Sequence, residues 1–552
     1  MAEWSAELWR DSAAGSERMW QLGKVQNLRL AVRALNGLEI PAGQTFSFWK
    51  QIGRATRGHG FAVGRELREG CLIPTVGGGL CLLSGALYNA ALLAGLEIVE
   101  RHAHSNAGIG GLASVGRDAT IFWNYVDLRL RAATDWRIEA WLTCDHLGLR
   151  LRAKEAMAAG GRTLPPPLAA PHAPATAPNS CATCEQGGCV RHLKPSGAES
   201  PDRMAILVDD WQPEWAAYFH TGDFDTALLC RPLDGRRFRK ANYRWDSADF
   251  GHTRDATWTA LRRAWACRRL RSEGAARQRA LLAWDEQLAR AYVRCLRPEH
   301  THLVVAQNLL PFLWRDGVLG GRTFDVLMAR LPMAELHAAL DSAAARHSDS
   351  GTAADFRAPV DLIEAESHAL AAARHWITPH SAIARLAGAC AQKLPWRVPE
   401  KSIAGPAETG RRVAFPASTL CRKGAYELRE AARALDLEIV CLGGFLEGAD
   451  FWSGVRVERR SLEAWLRDVR AVVLPAYVEH RPRRLLEAIG AGFPVVATAA
   501  CGVGGLPGVR EIPEGETAAL IEALRGLLDG PHASAAKSAD RSATLASPVA
   551  PS

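Results

Sequence analysis

No stretch of this chain approaches the roughly 18 consecutive uncharged apolar residues that a membrane-crossing helix needs, so no transmembrane span is expected. The opening residues, MAEWSAELWRDSAAGSERMW, lack both a basic n-region and a continuous apolar core, and no secretory signal is read there. The expected location is the cytoplasm, with at most peripheral membrane contact. A dense cysteine framework is missing as well: the 13 cysteines are an odd number scattered over 552 residues, which suits reduced thiols better than a stapled fold. Nor is the net charge of +8 gathered into one tract. Many arginines fall inside amphipathic helical patterns such as 258–296, so nucleic acid is not an expected partner. There is no internal repeat of short fixed period.

What is present is the composition of a globular protein, 48% apolar and 23% charged. At about 150 residues per domain the chain is too long for a single core. The tract GGRTLPPPLAAPHAPATAPNS holds too little apolar area to fold and marks a linker, and GPHASAAKSADRSATLASPVAPS reads as a disordered tail. A softer break lies at KLPWRVPEKSIAGPAETGRR. The expected bodies are therefore 1–152, a Pro/Ala-rich linker over 153–202, 203–392 and 393–529, with the tail at 530–552. Across the last two bodies short apolar runs (MAILV, TALLCR, HLVVAQ, FDVLMARLP, then RRVAFPA, EIVCLGG, AVVLPA, PVVATA) alternate with helical patterns. Such alternation predicts βα units with parallel strands, hence an α/β class with two Rossmann-like lobes at the C-terminal end.

In the last body the strand AVVLPA is followed by YVEHRPRRLLEAIGAGFPVVATAACGV. Glu479 falls in the loop beyond the strand, and Glu487 eight positions later in a helix that begins near Pro482. Ligands of doubly wound sheets sit beyond the carboxyl ends of the strands, where carboxylates can accept hydrogen bonds from sugar hydroxyls and a helix N-terminus can meet a diphosphate. The loop ASTLCRKGAYEL adds Arg422 and Lys423, cations suited to that diphosphate. This stretch resembles the nucleotide-binding lobe of group 1 (family 4 type) glycosyltransferases of the GT-B fold, through Glu479 and Glu487, the LLEA helix, AGFPVVAT and CGVGG at 501–505. The resemblance implies that Glu479 holds the donor hexose, Glu487 the ribose, and Arg422 and Lys423 the phosphates, without a catalytic metal. The preceding lobe departs from the family: its first strand runs into MAILVDDWQPEW rather than a glycine-rich loop. In WITPHSAIARLAG, His380 is a candidate acceptor base near the cleft.

In the first body, VGGGLCLLSGALYNAALLAGLEIV places three glycines and then Cys81 at the head of a helix that is apolar nearly all round and so expected to be central. Glycines 77–79 leave the space above the helix start uncrowded, and unpaired N–H groups of a first turn favour a thiolate. His102 and His104 follow in IVERHAHSNAG, and Asp118 in GRDATIFWNYVDLRLR, so Cys81, His104 and Asp118 can form a Cys–His–Asp set in chain order. QTFSFWKQIG, GFAVGRELREG, the GGGLC segment and GRDATIFWNYVDLRLRAATDW resemble the VanW-like family, which implies a separate α+β domain. The family usually carries glutamine after the cysteine, whereas this chain has Leu82 and lacks that amide.

Finally, NSCATCEQGGCVRH spaces Cys181, Cys184, Cys189 and His192 as C-x2-C-x4-C-x2-H, which suits a structural tetrahedral zinc; an iron–sulfur centre or a tract of free thiols is the alternative. No cofactor is expected for catalysis. The reading is a glycosyltransferase moving a sugar from a nucleotide-sugar donor to a glycan or lipid-linked acceptor, in cell-envelope polysaccharide or glycolipid synthesis. The alternative is a Cys-dependent hydrolase or acyl transferase on peptidoglycan-type material, beside a non-catalytic nucleotide-sugar-binding module.

Overall fold

The structure, a computed structural model, describes residues 2–9, 16–68, 71–104, 117–153, 202–270, 274–353, 357–400 and 405–529. The chain divides into two compact units. One comprises Met1–Arg271, Arg279–Leu327 and Pro359–Trp376, the other Ser272–Gln278, Met328–Ala358 and Ile377–Ser552.

Within the first unit, the N-terminal domain has its own core. Helix α1 (Ser16–Leu35) buries Leu22, Val25, Leu28, Ala31, Val32 and Leu35, the three- and four-residue spacing of a single apolar stripe. Strands β1 (Ala2–Glu7), β2 (Glu39–Ile40), β3 (Trp136–Leu142) and β4 (His146–Ala153) form an antiparallel sheet ordered β1-β4-β3-β2. Its register sets Ile138 opposite Leu151 and Ala140 opposite Leu149, and all four are buried on the face turned to the core. Helix α2 (Cys81–Ala94) is central, with Leu83, Ala86, Leu87, Ala90 and Ala91 at 2% exposure or less.

The glycines ahead of α2 have a steric cause. A Cβ on Gly78 would lie 2.5 Å from the carbonyl carbon of Gly64 and 2.6 Å from the amide nitrogen of Arg65, so the turn packs backbone to backbone on the strand Val63–Arg68. Asn27, fully buried on α1, fixes the turn: its amide donates to the carbonyls of Ala62 (3.0 Å) and Gly78 (2.9 Å) and accepts from Ala62 N (2.8 Å).

The same unit carries a parallel sheet. Strands β5 (Arg203–Leu207), β6 (Leu228–Arg231), β7 (His252–Asp255), β8 (His300–Ala306) and β9 (Thr323–Leu327) run in the order β7-β6-β5-β8-β9. The order reverses between β5 and β8, and there the Asn308 amide donates to Asp209 at 2.7 Å. The N-terminal domain bonds directly to this lobe. Gly321 N donates to Thr143 O (2.7 Å), and the Arg29 guanidinium to Gly320 O (2.8 Å).

In the second unit, strands β10 (Arg412–Phe415), β11 (Glu438–Cys441), β12 (Arg456–Arg459), β13 (Ala471–Leu474), β14 (Val495–Thr498) and β15 (Val509–Ile512) form a sheet ordered β12-β11-β10-β13-β14-β15, parallel throughout. Val413, Ala414, Phe415, Val472, Val473, Val495 and Val496 have no exposed surface. The sheet is thus covered on both faces, which is why these strands read as unbroken apolar runs rather than as alternation. Helix α3 (Ala425–Leu435) follows β10 and packs Leu428, Ala431, Ala432 and Leu435 inward; α4 (Arg483–Gly490) follows β13. The two Rossmann-like lobes of the GT-B class and a preceding α+β domain are therefore all present.

Candidate functional site

The second sheet reverses its order between β10 and β13, and sheets of this kind bind ligands beyond the carboxyl ends of the strands at such a reversal. The loop leaving β10 supplies Arg422 and Lys423 in a single turn, Cys421–Lys423; the loop leaving β13 supplies Glu479. The two loops meet there. Lys423 Nζ lies 2.8 Å from Glu479 Oε2 and donates also to Val478 O at 2.9 Å, while Glu479 Oε1 accepts from Arg481 N at 2.8 Å. Tyr477 N and Val478 N both donate to Arg422 O, which stitches the loops together through backbone. The approach requires Gly424, because its φ is +73° and a Cβ there would stand 2.0 Å from Pro475 O.

Burial works against ionisation of Glu479, but the Lys423 charge, its hydrogen bond and the Arg481 amide outweigh it and hold the carboxyl below its ordinary range. Glu487 sits on α4, where both its oxygens accept from Arg484 Nη1 at 2.7 Å, one turn earlier on the same helix. The structure thus brings Lys423 and Glu479 into one ion pair and gives Glu487 a partner of its own.

His380 is placed differently from a cleft base. It is 2% exposed and caps the short helix Ser381–Ala387, accepting from Ile383 N at Nδ1 (3.4 Å), with Nε2 3.2 Å from Ala500 O. Burial lowers its pKa to about 4, against the opposing pull of the Ala500 and Glu479 backbone acceptors. Both ring nitrogens are engaged with backbone, which makes the neutral imidazole a strut. Two open clefts of about 530 and 520 Å3 lie in this unit. The first is lined by Ser381, Arg385, Gly504 and Glu511 among others, the second by Tyr477, Ala500 and Glu514; neither lining includes Glu479 or Glu487. CGVGG thus contributes Gly504 and Gly505 to the first cleft.

Sequence reasoning passed over a third carboxylate here. Glu447 accepts from Ser350 Oγ (2.9 Å), Thr352 Oγ1, Tyr426 Oη (3.0 Å) and Cys421 N (2.8 Å), anchoring the segment around Ser350 and Thr352 to the turn that carries Arg422 and Lys423. Its partners are 21 to 97 residues away, so no local pattern signals it.

In the N-terminal domain, Cys81 opens α2 and is half-buried. His104 Nδ1 lies 2.7 Å from Asp118 Oδ2, the same carboxylate accepts His104 N at 2.6 Å, and the Cys81 thiol is near enough to the imidazole to help raise its pKa. The three residues proposed in chain order are brought together. The hydrogen bond to Asp118 and then the Cys81 thiol raise the His104 pKa to about 9, over the contrary effect of burial. Burial would raise the pKa of Asp118, but its bonds with His104 hold it below the ordinary value. Arg101, which was not foreseen, donates to Asp118 Oδ1 at 2.9 Å and to its carbonyl at 2.8 Å. It lies three residues before His104, within the quoted IVERHAHS motif. His102 instead faces outward, 50% exposed, beside Glu100. Cys181, Cys184, Cys189 and His192 lie outside the described residues, and no described helix is long and apolar enough to cross a membrane.

Residues 23–152 match the family described as "VanW like protein", and residues 424–530 the family "Glycosyl transferases group 1". The chain is 36% identical over 134 residues to the vancomycin B-type resistance protein VanW of Enterococcus faecalis, covering 24% of this chain and 49% of that protein. It is 35% identical over 105 residues to the uncharacterized protein YoaR of Bacillus subtilis, covering 19% and 34%. The chain thus spans about half or less of the curated relatives it matches. Among solved structures, Anabaena HepE in complex with UDP and glucose is similar, at 14% identity and a TM-score of 0.34, covering 59% of this chain and 90% of that one.

Proposed function

We propose that the two Rossmann-like lobes form a metal-independent hexosyltransferase that moves a sugar from a nucleotide-sugar donor to a glycan or lipid-linked acceptor hydroxyl. The observation that carries this reading is the Lys423–Glu479 pair at the strand-order reversal of the sheet, inside the segment matching group 1 glycosyltransferases. In the transfer, the bond between the anomeric carbon and the diphosphate oxygen breaks with its electron pair going to the diphosphate, the acceptor oxygen bonds the anomeric carbon, and the acceptor's hydroxyl proton passes to the departing diphosphate oxygen. Lys423 and Arg422 neutralise that growing charge, a task for which fixed cations are worth several kcal/mol (roughly 3–4 for one well-placed donor). When the diphosphate draws the Lys423 ammonium, Glu479 Oε2 is released to accept hexose hydroxyls. Glu487, oriented by Arg484, takes the ribose.

The VanW-like domain on the same chain, similar to a vancomycin-resistance protein, directs the acceptor side of this reading to cell-envelope glycans or glycolipids. Titration calorimetry against UDP- and GDP-sugars tests donor binding: one nucleotide sugar is expected to bind, with Glu487→Gln weakening it about tenfold through loss of a charged acceptor. Turnover is expected to survive chelation by EDTA. A chain that binds no nucleotide sugar contradicts the proposal.

A further inference from the structure

We propose that the N-terminal domain holds a second catalytic centre, independent of sugar transfer, in which Cys81 is an acyl-accepting nucleophile, His104 its proton acceptor and donor, and Asp118 with Arg101 the pair that positions the imidazole. Three observations carry it. The first is the His104–Asp118 pair at 2.7 Å, closed behind by the Arg101 guanidinium at 2.9 Å, with the Cys81 thiol beside the imidazole. A histidine that only packed a core would not need its carboxylate partner locked twice over. The second is access: Cys81 is half-buried, while the helix behind it is sealed into the core. The third is a set of donors beside the sulfur. Among the described residues the N–H groups of Gly79, Leu80 and Cys81 donate to no backbone carbonyl, whereas those of Leu82 and Leu83 already do. Donors of that kind can hold an oxyanion without the glutamine that Leu82 replaces.

The chemistry is that of an ester, thioester or amide carbonyl. Cys81 sulfur bonds the carbonyl carbon, its proton resting on His104, and the carbonyl electron pair moves onto oxygen. Collapse of that oxyanion expels the alcohol, thiol or amine, which takes the proton from His104, and leaves a thioester on Cys81. Water or an acceptor hydroxyl or amine then gives its proton to His104 and attacks the thioester carbon, which returns the sulfur to its starting state. Acyl transfer suits this arrangement because an imidazole steered by a carboxylate both removes and returns a proton, which is what the two half-reactions require.

The full-length protein with p-nitrophenyl acetate as probe tests the idea. A burst of p-nitrophenolate is expected, with an acetyl group located on Cys81 by peptide mass spectrometry, and about 1000-fold slower acylation in His104→Gln. Asp118→Asn reads out positioning: the pH profile of Cys81 alkylation by iodoacetamide should move, which a purely structural carboxylate would not cause. Where a variant fails to fold, the wild-type chain alone decides, with exposed Cys144 as internal reference; burial and Asp145 raise the Cys144 pKa. At pH 6, Cys81 should alkylate at least about tenfold faster than Cys144. Equal rates at the two cysteines, or no acetyl on Cys81, overturn the proposal.

Discussion

His104 and His380 are both largely withdrawn from solvent, yet their surroundings give the same side chain opposite charges. At His104 the Asp118 carboxylate and the Cys81 thiol favour the imidazolium; at His380 burial dominates and its partners are backbone groups, so the ring stays neutral. The difference lies in the partners rather than in the depth of burial. A histidine facing a carboxylate and a thiol can move a proton, whereas one spanning an amide and a carbonyl can only hold a turn in place. The proposed chemistry of the second unit accordingly rests on Lys423 and Glu479, and that of the first on Cys81 and His104.

The comparison can be broken in several places. Gly424→Ala would force the turn carrying Lys423 away from Pro475 and is expected to cost roughly 2–4 kcal/mol, read by chemical denaturation, together with loss of nucleotide binding. Asp118→Asn removes the largest influence on His104, so its pKa, followed by NMR of labelled imidazole rings, should fall from about 9 toward the ordinary 6.5. Acid and alkali should act on the two regions with opposite sign. The stabilisation from His104 is complete below pH 6.5 and is lost as pH rises through about 9. That from His380 is complete above pH 6.5 and is lost as pH falls through about 4. Each is on the order of 3 kcal/mol, and hydrogen exchange in α2 and in β14 reports them separately. The smallest effect is expected for Arg484→Ala. Its guanidinium is 37% exposed and pairs with Glu487 along one helix, so stability should change by no more than about 0.5 kcal/mol.

Sequence patterning and the geometry agree best where the signal is local. The parallel strands announce themselves as apolar runs because both faces of each sheet are covered, and the glycines before Cys81 mark the only residue type that the contact with Gly64 admits. Cys81, His104 and Asp118 could be named as a set because a thiol at a helix start calls for a base and an orienting carboxylate, and short downstream motifs supply both. His380 shows the limit of such reasoning. A histidine beyond a strand end looks like a cleft residue, whereas the turn at Gly502, 122 positions later, packs over its ring. The bond from Arg29 to Gly320 joins groups 291 residues apart, and the pairing of Asp209 with Asn308 spans 99. No window along the chain contains either pair, so contacts of this kind become visible only once the fold assembles them.

The most direct measurement is release of nucleoside diphosphate from a nucleotide sugar by the full-length protein, compared with Lys423→Ala and Glu479→Gln, each checked for folding by circular dichroism. If the crevice between β10 and β13 grips the donor, both substitutions should slow release by about 100-fold or more, in line with loss of one preorganised charge. Release at the wild-type rate in both variants would contradict the assignment of that crevice as the donor site.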